Sequence, residues 1–498
     1  MNSKLNSVLF EHGFNDQENG QSLYLKLSNA VMRAILNKQL VKGSKLPPTR
    51  LLARDLGLSR STVIKAYEVL CFEKYISATQ GSGYYVNDVQ HKKIEYSLKT
   101  VNHIQVNPRV SKRAREFRKH VDLMNRGEHK GIAFRPGLPP LDVFPVRQWQ
   151  NLTNNYWKEV TFSEMSYGAT LGLDALRKNI VDYLRIYRNI HCDYQQVVIV
   201  TGSLHSLSIV GDLLLDEGDQ VVLENPTYAN AIAMFKSLKT NIINASIDSE
   251  GLNIKSIKAS HLRDPKLIYT TPSNQYPSGV QMTLRRRLEL LDWASDNNCL
   301  IVEDDYDHEF SNWEKPITSI FGLDRSNSVI YQGTFNKLLH PAIRLGYLIV
   351  PPYLVEDIKA LYEQSLRFVS PVTQKVMSSF IEKDYLSKHL RKVVQISNER
   401  RACFIEHFNR YFEKTIQLHQ VSGGLHVIAR LPSHIDDVEV SGFLEHHGIV
   451  AFPYSKYFLK EKKENGLVMG FSSVREHVIR EKILRMSRLF QEFKGSAC

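Results

Sequence analysis

The sequence predicts an α/β chain in two parts: a small helical module closed by a hairpin, then a large domain on a mostly parallel sheet. Three observations carry that expectation. The first is size: 498 residues exceed one small module and leave room for a domain with a substantial core. A 43% hydrophobic and 23% charged composition is that of an ordinary folded protein. The second is where the net charge of +12 sits. Residues 1–90 hold 11 Lys and Arg against 7 Asp and Glu, residues 91–135 hold 12 against 4, and the rest is balanced at 41 of each. A polyanionic partner would therefore meet the N-terminal part. The third is the alternation, from Ile132 onward, of short apolar runs with helical stretches.

Several classes are excluded early. Cys71, Cys192, Cys299, Cys403 and Cys498 are odd in number, scattered and never in a C-x-x-C pair, which argues against a disulfide framework or structural zinc, so no metal is expected. No apolar stretch approaches the roughly 18 residues of a membrane span. The start, MNSKLNSVLFEHG, lacks a charged-then-apolar secretory pattern. A cytoplasmic location away from the membrane is expected.

From Ser22, a candidate cap, Leu27, Ala30, Val31, Ala34 and Ile35 follow helical spacing to about Lys38. After KGSKLPP comes a second helical stretch, TRLLARDL, and the break Gly57-Leu58. A third stretch begins at Ser59 and buries Val63, Ala66, Tyr67 and Leu70. Two short helices around a tight Gly-containing turn make a helix-turn-helix. Ser59, Arg60, Ser61, Thr62 and Lys65 place hydrogen-bond donors at the end that enters the major groove in such motifs. Tyr75–Ala78 and Tyr84–Val86, around Thr79-Gln80-Gly81-Ser82-Gly83, form a hairpin whose small tip residues let backbone approach a phosphate. Residues 22–87 resemble, in order and spacing, the winged-helix domain of the GntR regulators, through SLYLKLSNAV, KGSKLPPTRLLARDLGLSRSTVIKAYEVL and GSGYYV. The resemblance implies binding to double-stranded operator DNA, with Arg50, Ser59, Arg60, Ser61, Thr62 and Lys65 facing it and Gly81 and Gly83 in the wing.

Domain boundaries are expected at 1–87 for the DNA-binding domain, 88–131 for a basic linker and 132–498 for the rest. The linker shows no sustained periodicity and carries Arg109, Lys112, Arg113, Arg115, Arg118 and Lys119. It reads as a solvated tether, with phosphate contacts as the alternative role.

In the large domain the runs are VVIVT at 197–201, QVVLE at 220–224, KLIYT at 266–270, CLIVE at 299–303, SVIYQ at 328–332 and LGYLIV at 345–350. Near-continuous apolar strands between helices indicate a sheet covered on both faces, and ligands in such sheets bind at the strands' carboxyl ends. There the sequence places Ser203-Leu204 opening a helix, then Tyr228, Asp304 and Tyr306, and finally Thr334, Lys337 and Arg344. The set suits pyridoxal 5′-phosphate: a lysine to form the Schiff base, a carboxylate for the pyridine nitrogen, a stacking aromatic, and a helix start, hydroxyl and guanidinium for the phosphate.

Residues 132–498 resemble fold-type-I aminotransferases, with a large domain on a mostly parallel sheet and a small C-terminal domain. With the N-terminal module the chain resembles the MocR/GabR subfamily of GntR regulators. Lys337 matches the Schiff-base lysine, Asp304 the pyridinium carboxylate, Tyr306 the aromatic hydroxyl beside the ring oxygen and Tyr228 the stacking ring. Ser203 and Leu204 match the phosphate loop, and Thr334 and Arg344 the other phosphate contacts. Tyr167 in SYGATLG matches a tyrosine that crosses to the partner's phosphate in a homodimer.

There are departures. Tyr276 stands where many aminotransferases have an asparagine, Asn274 where the subfamily commonly has histidine and Asn336 where serine is usual. Val468 and Asn230 stand at the two positions where relatives hold a carboxylate-binding arginine. A buried carboxylate without a partner is expensive, so either another residue substitutes, with Arg430 and Arg475 as candidates outside any recognised motif, or the effector is not a simple amino acid. The resemblance implies a PLP-dependent regulator sensing a small amine, amino acid or B6 vitamer, with at most slow transamination. The alternatives are a working aminotransferase and a pyridoxal-phosphate sensor controlling vitamin B6 synthesis or salvage.

Overall fold

A computed structural model describes residues 2–12, 14, 22–88, 110–124, 133–257, 264–310, 318–412, 416–419, 423–459 and 464–496. They fall into two units, Met1–Pro108 and Arg109–Cys498.

The first unit holds helices α1 (Asn2–Glu11), α2 (Leu23–Leu36), α3 (Thr49–Leu56) and α4 (Arg60–Phe72) and strands β1 (Ile76–Thr79) and β2 (Gly83–Val86). Leu27, Ala30, Val31, Ala34 and Ile35 of α2 and Val63, Ala66, Tyr67 and Leu70 of α4 are buried, because helical spacing puts each set on one face. α3 ends at Gly57 with φ +65°, a left-handed position that glycine occupies at least cost. Ser59 Oγ then accepts the Thr62 backbone N–H at 3.1 Å and caps α4. Ser22 holds the cap position of α2, but its hydroxyl makes no capping bond. The hairpin pairs Ile76 with Val86 through Thr79 with Gly83. α1 was not foreseen from periodicity; it contributes Leu9 to the core that also holds Phe14, Leu27, Val31 and Leu70.

The second unit begins differently from the linker expected there. Residues 112–120 form α5 (Lys112–His120), capped by Ser111 Oγ on Ala114 N at 3.0 Å. The helix packs against α9 (Ala229–Ser237), and Arg113 pairs with Asp212. Residues 110–124 are thus part of a folded unit and not a tether; with only Ala114 and Phe117 apolar in this helix, hydrophobic periodicity had nothing to register. Residues 89–109 and 125–132, Arg109 among them, lie outside the described residues.

The helices between are α6 (Val146–Glu159), α7 (Asp174–Arg188) and α8 (Ser203–Leu214). Among the described residues the main sheet comprises β3 (Val197–Val200), β4 (Gln220–Asn225), β5 (Asn241–Asp248), β6 (Gly251–Leu252), β7 (Pro265–Thr270), β8 (Leu300–Asp304), β9 (Val329–Thr334) and β10 (Gly346–Ile349). Their order is β3-β10-β9-β8-β7-β4-β5-β6. β9, β8, β7, β4 and β5 run parallel, whereas β10 is antiparallel to both neighbours and β6 closes the edge. All six apolar runs of the sequence are strands. A second sheet, ordered β11-β12-β14-β13, consists of β11 (Gln417–His419), β12 (His426–Arg430), β13 (Phe452–Pro453) and β14 (Gly466–Gly470). It shares a core with the helices Tyr385–Phe412, Asp437–His446 and Glu476–Ser496, in which the Phe134 ring meets Phe404 edge-on at 5.1 Å.

Leu9→Ala should lower the stability of the first unit by about 2–4 kcal/mol, the usual cost of emptying a fully buried leucine site. Urea unfolding followed by circular dichroism reads this; an unchanged midpoint would separate α1 from that core.

Candidate functional site

Parallel strands deliver their carboxyl ends to one edge of the sheet, and a cavity of about 290 Å³ opens there. Tyr228 follows β4, Asp304 ends β8 and Lys337 follows β9. The wall comprises these three with Arg135, Gly137, Ser203, Asn230, Tyr269, Tyr276, Tyr306, Arg344 and Phe452, among others.

Lys337 is half-buried, and its ammonium donates to the Gly137 carbonyl at 2.9 Å. Burial pushes its pKa down, Asp307 and Asp304 pull it up, and Arg135 adds to the lowering. Gly137 lies at φ +73°, a left-handed position that favours glycine, and a Cβ there would stand 2.4 Å from Lys337 Nζ, so the end of the lysine would have to shift.

Asp304 receives the Tyr269 hydroxyl on Oδ2 at 2.7 Å, while its buried Oδ1 has no hydrogen-bond partner among the described residues. Burial raises its pKa to about 6, with the charge of Asp305 adding to the rise, against the Tyr269 bond, the neighbouring Gln332 side chain and the charge of Lys337. A buried carboxylate oxygen without a donor is costly, and a ring N–H would satisfy it. The acidic neighbours of Asp304 are each paired or hydrogen-bonded on at least one oxygen, although Asp305 Oδ1 also has no hydrogen-bond partner among the described residues. Asp305 pairs with Arg188 at 2.8 Å, and Glu303 with Arg287 at 3.5 Å and the Phe321 amide at 2.8 Å. Glu224 accepts from Thr270 Oγ1, Thr271 Oγ1 and Gln275 Nε2 at 2.6, 2.9 and 3.0 Å.

At the cavity's other end α8 starts at Gly202, where φ is +123°. A Cβ on Gly202 would meet Asn336 Nδ2 at 2.9 Å and Arg344 Nη1 at 3.7 Å. A helix start, Ser203 and a guanidinium form a cup for an anion. Thr334 and Leu204 are not on the wall: the Thr334 hydroxyl accepts the Asn336 amide at 3.2 Å, shaping the turn that leads to Lys337. Tyr306 OH donates to the Asn274 carbonyl at 3.0 Å, and Tyr276 OH lies 3.2 Å from Tyr457 OH. His426 Nε2 bonds the Pro277 carbonyl at 2.8 Å, and burial lowers its pKa to about 4, keeping it neutral.

Tyr167 is not brought to this cavity. It is 78% exposed, with Arg367 5.1 Å over its ring. Neither Arg430 nor Arg475 reaches the cavity wall: Arg430 pairs with Glu464 at 3.3 Å and Arg475 with Asp142 at 2.9 Å. Val468 is buried among Ala229, Ile428, Val450 and Phe452, and Asn230 donates to Tyr228 OH at 2.8 Å. Sequence reasoning missed Arg135, Gly137 and Tyr269. The last stands one residue before the end of a predicted strand, beside the one bearing Asp304; the phrase Arg135-Pro136-Gly137 offered no periodic signal.

In the first unit Arg50, Arg60, Ser61 and Lys65 are exposed and Thr62 is half-buried. Ser59 spends its oxygen on the helix cap. Gly81 and Gly83 have φ +77° and +119° at the hairpin tip. Among the described residues no helix is long and apolar enough to cross a membrane.

Residues 157–464 match the model of aminotransferase class I and II, and residues 23–86 match that of bacterial regulatory proteins, gntR family. Aminotransferases of that class depend on pyridoxal phosphate. A DNA-binding domain joined to an aminotransferase-like domain defines a transcriptional regulator rather than primarily an enzyme. More narrowly, the chain belongs to the MocR-type regulators of the GntR family. It is 29% identical to the probable rhizopine catabolism regulatory protein MocR of Rhizobium meliloti over 97% of this chain and 96% of that protein. It is 30% identical to the uncharacterized HTH-type transcriptional regulator YdeL of Bacillus subtilis, over 93% and 96%. Among solved structures it is similar to the kynurenine aminotransferase of Pyrococcus horikoshii in complex with PMP, with TM-score 0.66 and 26% identity over 78% of this chain and 95% of that one.

The unmatched Asp304 has a measurable consequence in protein free of any ligand. Its folded pKa lies above the unfolded value of 3.8, so the unfolded chain ionises first and stability falls as pH rises from about 4 to about 6. Asp304→Asn should therefore be more stable than the parent by roughly 1–3 kcal/mol at pH 7 and by little at pH 4. Urea unfolding across that range tests it, and a pH-independent difference would contradict it.

Proposed function

We propose that the cavity holds pyridoxal 5′-phosphate on Lys337, that the first unit binds double-stranded operator DNA, and that a small-molecule effector bound beside the cofactor alters DNA affinity. The observation that carries this reading is the pairing, on one cavity wall, of Lys337 with the buried Asp304 carboxyl, whose Oδ1 has no hydrogen-bond partner among the described residues.

Pyridoxal phosphate supplies an aldehyde that reacts with amines and a ring that withdraws electrons. The chain's residues do the rest. The depressed pKa of Lys337 increases its neutral, nucleophilic fraction. Asp304 accepts the ring N–H, Tyr228 covers one ring face, and Tyr306 and Tyr276 present hydroxyls beside it. Ser203, Arg344 and the start of α8 take the phosphate, with Leu204 and Thr334 shaping its surroundings.

A homodimer completes the proposal. Phe162, Tyr167, Met165 and Trp157 are 95%, 78%, 59% and 56% exposed on one stretch of chain, apolar side chains that a second copy would cover. Two copies would present two winged helices to two half-sites, with Tyr167 reaching the partner's phosphate. Effector binding would couple to DNA through the difference in its affinity for two states of the protein.

The purified protein should absorb in the visible range, and borohydride should fix the cofactor to the peptide carrying Lys337. Lys337→Ala should be colourless, and Asp304→Asn should bind the cofactor roughly 10- to 100-fold more weakly, the worth of a charge-assisted hydrogen bond. An adduct elsewhere, or colourless protein after reconstitution, would sink the assignment.

On DNA, Arg60→Ala should weaken operator binding more than binding to random sequence, because the residue opens the helix aimed at the groove. Neutralising Arg115 and Arg118 together, both exposed on α5, should weaken both alike and reduce the salt slope by about 0.9 per lost phosphate contact. Equal losses from the two kinds of variant in a salt-dependent binding assay would refute this division of labour.

A further inference from the structure

Strands β9, β8 and β7 lie side by side and run parallel, and along a strand every second residue leaves the same face. Val302 of β8 is in register with Ile330 of β9 and with Tyr269 of β7, and all three belong to one core. Two residues on, Asp304 is in register with Gln332, so this pair leaves the same face. The Tyr269 hydroxyl reaches diagonally to Asp304 Oδ2 at 2.7 Å. Asp304 is thus flanked by a polar side chain on each side, a phenol from β7 and a carboxamide from β9. The phenol has its partner. Gln332, 0% exposed, has none for either its amide nitrogen or its oxygen among the described residues, and Asp304 Oδ1 has none either. A buried carboxamide left in that state is costly beside an apolar side chain of the same length. It stands near enough to Asp304 to lower that carboxyl's pKa, and because its terminal torsion is soft, a turn about it brings an N–H onto the carboxylate.

We propose that Gln332 is a positioning residue of the cofactor site: on the reading that the cavity holds pyridoxal phosphate, its carboxamide donates to Asp304 and keeps that carboxyl ionised and turned toward the ring nitrogen. It is not on the cavity wall, so it acts through Asp304. A carboxylate accepts several donors, and each donor to the charged form favours that form. Tyr269 is not enough by itself, since Asp304 still titrates at about 6, with Asp305 opposing its ionisation and Lys337 supporting it. The other groups that face it, Tyr228 after β4 and Tyr306 after β8, are phenols whose pKa is raised by burial and by the Asp304 charge, so they stay neutral. The amide of β9 and the ring N–H complete a set of three donors.

Gln332→Met and Gln332→Glu keep the length of the side chain and test the assignment in the full-length protein. Without cofactor, urea unfolding from about pH 4 to about pH 8 reads Asp304, whose folded pKa above the unfolded value makes stability fall as pH rises. Gln332→Met should extend that fall upward by roughly one pH unit and be at least as stable as the parent at pH 4, where the carboxyl is protonated. Reconstituted with pyridoxal phosphate and followed by its visible band, Gln332→Met should bind the cofactor roughly 10-fold more weakly. Gln332→Glu should bind it more weakly still, because a second carboxyl disfavours the charge on the first. In an Asp304→Asn background, Gln332→Met should change neither the cofactor affinity nor the pH profile. Unchanged affinity in both single variants, or an equal loss in the Asp304→Asn background, would overturn the assignment. So would lower stability at pH 4 with an unmoved pH profile, which marks a packing role. Failure of the cofactor reading is separate: the unaltered protein would then never acquire the visible band, while the pH profile of the cofactor-free protein still reports on Gln332 and Asp304.

Discussion

Acidic residues crowd the carboxyl edge of a parallel sheet, and the rest of the second unit is arranged around their neutralisation. Glu224, Glu303, Asp304 and Asp305 are all buried at the ends of β4 and β8, which flank β7, where each unpartnered charge would cost several kcal/mol. Arg188 and Arg287 come in from α7 and the helix Leu284–Asp296 to meet two of them, and Arg188 holds Asp305 below the usual carboxylate range although burial alone would raise it. Hydroxyls and an amide cradle the third. Asp304 receives one phenol and is the one of these four that lines the cavity with Lys337. That placement distinguishes a binding site from a structural ion-pair network.

The strands of the main sheet were legible because they are buried on both faces and so read as unbroken apolar runs. β5 was not, because only one of its faces is covered and its burial alternates. The helices of the first unit were legible from spacing and the Gly57 break. α1 escaped because its contribution to the core is chiefly Leu9, too little to register as a period. α5 escaped for the opposite reason: nearly every residue is charged, and it is held by its cap, by Arg113 with Asp212 and by packing on α9.

The cavity shows the same division. Residues just after strands, such as Tyr228, Asp304, Tyr306 and Lys337, could be placed because a parallel sheet sends its strand ends to one edge whatever the loops do. Arg135 could not, because its position depends on a contact with Gly470 from the far end of the chain. The nominated substitutes Arg430 and Arg475 looked equivalent in sequence, yet each is bound to a nearby acid. A cation's availability is decided by its neighbours in space.

The segment Phe134–Asp142 is fastened to the smaller sheet and its helices at both ends, by Gly470 and by Arg400 with Arg475, while its middle touches Lys337 on the larger sheet. It belongs mechanically to one body and chemically to the other. A change that loosens either fastening would therefore be felt at Lys337 through the Gly137 carbonyl, with no residue of the cavity wall altered.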